Sequence, residues 1–178
     1  MSKNDKKRDK SLIFYGIIAL IAVSIFLYTK INNVMAEKLD SKMRTVDLFA
    51  VNVNAGDKYI AYHQKKYDYN DTYRDDYYNY EKAVYVSPEL RAKEPDEVGY
   101  IISISYAHTL YGKYSDGTNA YICDTYVNIY DCHTGLYLSG DDILINGGNP
   151  PNKKGNTCNG STATEQEITE AVNRILND

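Results

Sequence analysis

The sequence predicts an α+β protein with one N-terminal transmembrane helix and a small antiparallel β-sheet domain on which a C-terminal amphipathic helix packs. Three observations support this class: an uncharged apolar run over residues 11–28, β-rich alternating stretches between residues 98 and 145, and a helical apolar stripe after residue 164. Residues 31–178 are numerous enough for one domain of ordinary size with its own core.

The apolar run, SLIFYGIIALIAVSIFLY, holds no charged residue. At about 1.5 Å per residue it reaches ~27 Å, close to the thickness of a hydrocarbon core. Tyr15 and Tyr28 lie near its two ends, where aromatic rings suit the headgroup layer, and Lys10 and Lys30 bracket it. We therefore predict that residues 11–29 form a transmembrane signal anchor in contact with membrane lipid.

Basic residues on the two sides of the anchor set its orientation. Residues 1–10 carry five Lys or Arg, and the comparable stretch after the run carries four, spread more thinly (Lys30, Lys38, Lys42 and Arg44). This bias predicts a cytoplasmic tail at 1–10, a stalk at 30–47 and an extracytoplasmic domain at 48–178.

A cleavable signal peptide is the alternative to an anchor. Val34 and Ala36 are small residues at the two positions that a signal peptidase reads, so cleavage near Ala36 would release a secreted protein. The apolar run is long for a signal peptide, and these residues lie well past its end. The uncleaved anchor is the preferred prediction.

The net charge of the domain narrows the range of partners that it could bind. The first 30 residues have a net charge of +4 and the remainder of −8, which argues against nucleic acid and anionic lipid as partners of the domain.

Tyr accounts for 19 of 178 residues, whereas Trp is absent and Phe occurs three times. A Tyr ring is buried readily only when its hydroxyl finds a partner, so we expect many of these rings at the boundary of the core.

The most unusual stretch is residues 63–82, which contain no Leu, Ile, Val, Met or Phe. Asn, Asp and Thr favour turns over helix interiors, so we expect a polar surface loop, although four Tyr at helical spacing also fit a helix. Tyrosine suits recognition of a cell-surface protein or glycan, and the alternative is that the rings form the rim of the sheet. The candidate binding residues are Tyr69, Tyr73, Tyr77, Tyr78 and Tyr80.

Alternation and turn residues predict four to six strands. The longest pair is a hairpin formed by Asn119–Asp131, a tight turn at 132–135 and a return strand at 136–145. The other predicted strands lie at 48–53, 59–62, 83–86 and 98–106. The spacing of Thr164 and Glu167 predicts a capping box for the C-terminal helix. Its apolar stripe consists of Ile168, Ala171, Val172, Ile175 and Leu176.

Three cysteines, Cys123, Cys132 and Cys158, follow the anchor, and their spacing matches no zinc pattern. In an oxidising compartment, Cys123 and Cys158 need the least chain reversal to pair, because Cys132 lies at the hairpin tip. The absence of any disulfide is the alternative.

No catalytic motif, cofactor or metal site is predicted. His133 stands beside Cys132 by sequence proximity alone. The acidic residues between 68 and 76 lack the spacing of a calcium-binding loop, and Asp141 and Asp142 lack a third partner in the sequence. The sequence thus favours an anchored protein whose domain binds or scaffolds a cell-surface component. The alternative is a secreted or anchored surface hydrolase with an Asp/Tyr-based site.

Overall fold

The structure is a computed structural model that describes residues 3–52, 54–65, 78–152 and 160–177. The chain divides into two compact units, Met1–Lys38 and Leu39–Asp178. The second unit, called the domain below, contains a six-stranded sheet and a C-terminal helix.

The first helix, α1, is continuous over Lys3–Met43. Between residues 14 and 28 its large apolar side chains are 47–69% exposed. Within the described residues it is the one helix long and apolar enough to cross a membrane, a signature that a signal sequence shares. The predicted apolar N-terminal helix is therefore confirmed.

The last turn of α1 belongs to the domain rather than to the apolar part of the helix. Met43 is fully buried and packs in a cluster with Leu48, Ile60 and Ile101. The carboxylate of Asp40 accepts a hydrogen bond from the backbone N–H of Tyr80 at 2.7 Å. Within the predicted stalk, residues 39–43 thus contribute to the core of the domain.

The sheet contains six strands in the order β2-β1-β3-β4-β5, and β6 also pairs with β4. The strands are β1 (Lys58–Lys65), β2 (Tyr78–Lys82), β3 (Val98–Lys113), β4 (Asn119–Asp131), β5 (Leu136–Tyr137) and β6 (Ile143–Ile145). The predicted α+β class is confirmed.

The sheet is mixed, so the prediction of a wholly antiparallel sheet was wrong. β1 runs parallel to β3, whereas the other pairs are antiparallel. A parallel pair needs a long crossover connection. Here the connection contains β2 and two short 3₁₀ turns, Pro88–Leu90 and Pro95–Glu97.

Several predicted strands differ in length or kind from the observed elements. Residues 48–50 form a turn, residues 51–52 are irregular, and neither stretch is a strand. Residues 84–86 form a turn after β2. The predicted strand at 98–106 extends to Lys113 and joins β4 through a turn in which Gly117 adopts φ +83°. The predicted return strand at 136–145 is divided into β5 and β6, with Gly140 at φ +72° between them.

The two faces of the sheet carry separate cores. On one face, Ala61, Ile102, Ile129 and neighbouring residues pack against helix α2 (Glu165–Asn177). On the other face, Ile60, Ile101 and Tyr130 pack against the last turn of α1.

Helix α2 confirms the predicted C-terminal amphipathic helix. Four of its five predicted stripe residues are buried (Ile168, Ala171, Val172 and Ile175), and Leu176 is 39% exposed. The capping box forms as predicted, because the N–H of Thr164 donates to the Glu167 carboxylate at 2.7 Å and the Glu167 N–H donates to the Thr164 hydroxyl at 3.3 Å.

Candidate functional site

The Tyr-rich segment, residues 66–77, connects two adjacent strands. β1 ends at Lys65 and β2 begins at Tyr78, and the antiparallel register pairs Gln64 with Tyr78. The two attachment points therefore lie side by side on neighbouring strands, and β2 is an edge strand of the sheet. The candidate binding residues Tyr69, Tyr73 and Tyr77 lie outside the described residues, and Tyr78 is described by its backbone alone.

Tyr80 is the one candidate binding residue whose side chain is described. It is 7% exposed, and its ring centroid lies 4.9 Å from that of Tyr62. Burial raises the pKa of Tyr80 to about 12. Phe49 and Tyr130 extend the same row of rings, with centroids 5.0 Å from Phe49 to Tyr62 and 5.2 Å from Phe49 to Tyr130. Tyr80 therefore contributes to the core, which leaves Tyr69, Tyr73, Tyr77 and Tyr78 as the candidate binding residues.

A second aromatic row lies on the opposite face of the sheet. Tyr59 and Tyr100 stack with centroids 4.9 Å apart, and the His133 ring lies 5.7 Å from Tyr100. Tyr100 thus has two aromatic neighbours among the described residues, Tyr59 and His133.

His133 is paired with Asp131 rather than with the neighbouring Cys132. The backbone N–H and Nδ1 of His133 both lie 2.8 Å from Asp131 Oδ1, and the Thr134 hydroxyl donates to Oδ2 at 2.9 Å. Burial opposes ionisation of Asp131, but these hydrogen bonds outweigh it and lower the pKa of its carboxyl. The group stabilises the turn after β4, where the Gly135 N–H donates to the Asp131 carbonyl at 2.8 Å.

Cys132 is unsuited to nucleophilic chemistry. Its thiol is 3% exposed and donates to the Leu48 carbonyl at 3.3 Å, and burial raises its pKa to about 11. The thiolate is the reactive form, so at neutral pH this sulfur stays protonated and inert. Cys132 carries no disulfide.

The Cys123–Cys158 pair predicted from the sequence falls partly outside the described residues, because Cys158 is not among them. Cys123 lies in β4 and is 1% exposed. Gly160 donates its N–H to the carbonyl of Tyr121 at 2.8 Å, which fixes the chain beside this part of β4.

The acidic residues form no metal centre within the described residues, where no group of three His, Cys, Asp or Glu side chains could hold an ion. Asp141 and Asp142 are exposed, and Asp142 accepts a hydrogen bond from the buried Asn128 amide at 3.1 Å. The Ser139 hydroxyl donates to the side-chain Oδ1 of Asn128 at 2.8 Å. Asp142 and Ser139 thus hold the turn between β5 and β6. The acidic residues between 68 and 76 lie outside the described residues.

A titratable cluster that the sequence did not reveal surrounds His63 on β1. Its Nδ1 lies 3.2 Å from the Tyr106 hydroxyl, and its Nε2 lies 3.5 Å from the Tyr85 hydroxyl and 3.8 Å from a Glu81 carboxylate oxygen. The His63 side chain is 15% exposed. Burial lowers the pKa of His63 and raises those of Tyr85 and Tyr106, whereas Glu81 opposes the shift at His63. This cluster exists because β1 is parallel to β3, which brings Tyr106 alongside the end of β1.

Comparison of the chain with protein-family models, curated proteins and solved structures found no match. The functional conclusions therefore rest on the chemistry and geometry of this chain.

Proposed function

We propose that this chain is a single-pass membrane protein whose domain lies outside the cytoplasm and binds or scaffolds a cell-surface component. The observation that carries the proposal is the apolar part of α1, whose large side chains between residues 14 and 28 are 47–69% exposed. A continuous exposed apolar surface of this size indicates contact with another protein or with a membrane. Membrane lipid fits, because the uncharged run matches the thickness of a hydrocarbon core.

The helical state of residues 34–36 supports a retained anchor over a cleaved signal peptide. These residues lie inside the continuous helix α1, so their backbone is held in the i to i−4 hydrogen-bond ladder. Cleavage near Ala36 would require this part of the helix to unwind first. The secreted form remains the alternative, and the excess of basic residues at 1–10 favours a cytoplasmic N-terminus.

The proposed binding surface consists of Tyr69, Tyr73 and Tyr77 of the Tyr-rich segment together with Tyr78, the first residue of β2. The two strands to which the segment is attached are adjacent, because Gln64 of β1 pairs with Tyr78 of β2. Tyrosine provides rigid, amphipathic contact area, which suits a cell-surface protein or a glycan. The net charge of −8 beyond residue 30 disfavours nucleic acid.

Site-specific photo-crosslinking on intact cells tests this surface. A crosslinker placed at Tyr78 of the full chain is expected to give one discrete adduct. Replacing Tyr69, Tyr73 and Tyr77 by Ala should reduce that adduct by about tenfold or more, since an interface tyrosine often contributes over about 1 kcal/mol.

The matched control is Tyr111→Ala, which removes a 60% exposed ring from β3. This variant should leave the adduct at position 78 unchanged. An adduct that survives the triple substitution, or the absence of any adduct at position 78, would contradict the proposed surface.

A further inference from the structure

The His63 imidazole is the contact point of three other parts of the domain. It belongs to β1 and reaches Tyr106 on β3, Tyr85 in the turn after β2 and Glu81 on β2. The His63 and Tyr106 rings are nearly parallel, at 19° with centroids 6.2 Å apart. One side chain therefore ties the edge strand β2 and the turn after it to the centre of the sheet.

The surroundings of this ring favour its neutral form. A tyrosine hydroxyl can donate or accept a hydrogen bond, so Tyr85 and Tyr106 satisfy a neutral imidazole in either tautomer. Among the described residues, Glu81 is the one acidic side chain in contact with the ring. Its side chain is 49% exposed, and its carboxylate also accepts a hydrogen bond from the Asn79 amide. The pKa of the Tyr85 phenol is raised mainly by burial, and the negative charge of Glu165, in the first turn of α2, adds to that rise. A half-exposed carboxylate compensates a buried cation poorly.

We propose that His63 is an acid-sensitive clasp, whose neutral ring holds β2 and the turn after it on the sheet and whose protonation releases them. Among the described strands β2 lies at the edge of the sheet and pairs with β1 alone, so it is among the elements most easily lost by local opening. β2 also carries Tyr78, so release would disturb one attachment point of the proposed binding surface. That consequence rests on the proposed function, whereas the clasp does not.

The direction of the pH effect follows from the lowered pKa of His63 in the folded protein. The unfolded chain has a histidine pKa of about 6.5, so above that pH the neutral ring makes its full contribution to the stability of the folded state. It is lost as the pH falls through the folded-state pKa. Most carboxylates titrate below this window, which separates their effect from that of His63.

NMR of the full chain in detergent micelles, labelled in the ring carbons of its three histidines, tests the clasp between pH 8 and 5. His63 is expected to titrate with a midpoint below about 6.5. The amide protection factors of Asn79 and Glu81, whose N–H groups face β1 by alternation from Tyr80, should fall with the same midpoint.

Variants at this cluster separate the clasp from general acid sensitivity. His63→Phe keeps a ring but cannot be protonated, so the acid-dependent loss of β2 protection should disappear. Glu81→Gln should move the His63 midpoint to lower pH, and the control His133→Gln should retain the wild-type response. A His63 midpoint at or above about 6.5, or an unchanged acid response in His63→Phe, would overturn the proposal. If His63→Phe does not fold, the wild-type midpoint and the Glu81→Gln shift decide the question.

Discussion

Mass spectrometry of unreduced peptides from the full chain, isolated from cells without reductant, is expected to show Cys123 joined to Cys158 and Cys132 as a free thiol. The hydrogen bond from the Gly160 N–H to the Tyr121 carbonyl, at 2.8 Å, holds Gly160 beside β4. Cys158 lies two residues before Gly160, and Cys123 lies two residues after Tyr121. With steps of about 3.8 Å per residue, the two Cα atoms can reach the separation of about 4.4–6.8 Å that a disulfide needs.

This disulfide should have a large effect on stability. It would close a loop of roughly 36 residues, which the chain-entropy relation converts to about 4 kcal/mol of unfolding free energy. Reduction of the wild type, or the substitution Cys158→Ser, should therefore cost about that much in urea unfolding. The control Cys132→Ser should keep a reduction-sensitive step. Alkylation of all three cysteines without reductant would contradict the pairing.

The second large effect is expected for Met43→Ala at the end of α1. Met43 is fully buried, and removal of a buried Met side chain leaves a cavity that costs about 2–5 kcal/mol of unfolding free energy. Urea unfolding in micelles, followed by the near-ultraviolet signal of the tyrosines, measures this loss.

The matched control is Met35→Ala on the same helix, where the side chain is 65% exposed. Exposed substitutions usually change the unfolding free energy by less than about 0.5 kcal/mol. Equal effects of the two substitutions would show that the last turn of α1 does not belong to the core of the domain.

The elements that the sequence predicts well are those specified by local periodicity. The apolar run gives the first helix, the stripe beginning at Ile168 gives α2, and alternation gives β3 and β4. The parallel pairing of β1 with β3 was missed, because alternation shows which residues share a face but not which strand lies alongside. The burial of Met43 was missed for a similar reason, since its partners Ile60 and Ile101 are distant in sequence.

The same distinction applies to the candidate sites. Composition alone singles out residues 63–82, because a stretch so rich in Tyr and without Leu, Ile, Val, Met or Phe is unusual. Composition did not indicate that Tyr80 is buried. Its burial depends on its pairing with Tyr62 in the sheet and on the hydrogen bond from its N–H to the Asp40 carboxylate. The His63 cluster could not be predicted, because it requires the long-range register that brings Tyr106 to β1.

Protease treatment of intact cells, followed by mass spectrometry of the N-terminus, tests most directly whether this protein is anchored with its domain outside. The proposed topology predicts that peptides from residues 48–178 are released from intact cells while residues 1–10 are protected. It also predicts that the membrane fraction holds a chain that retains residues 1–36. A chain that begins near residue 37 and appears in the medium, or a domain protected until the cells are lysed, would contradict it.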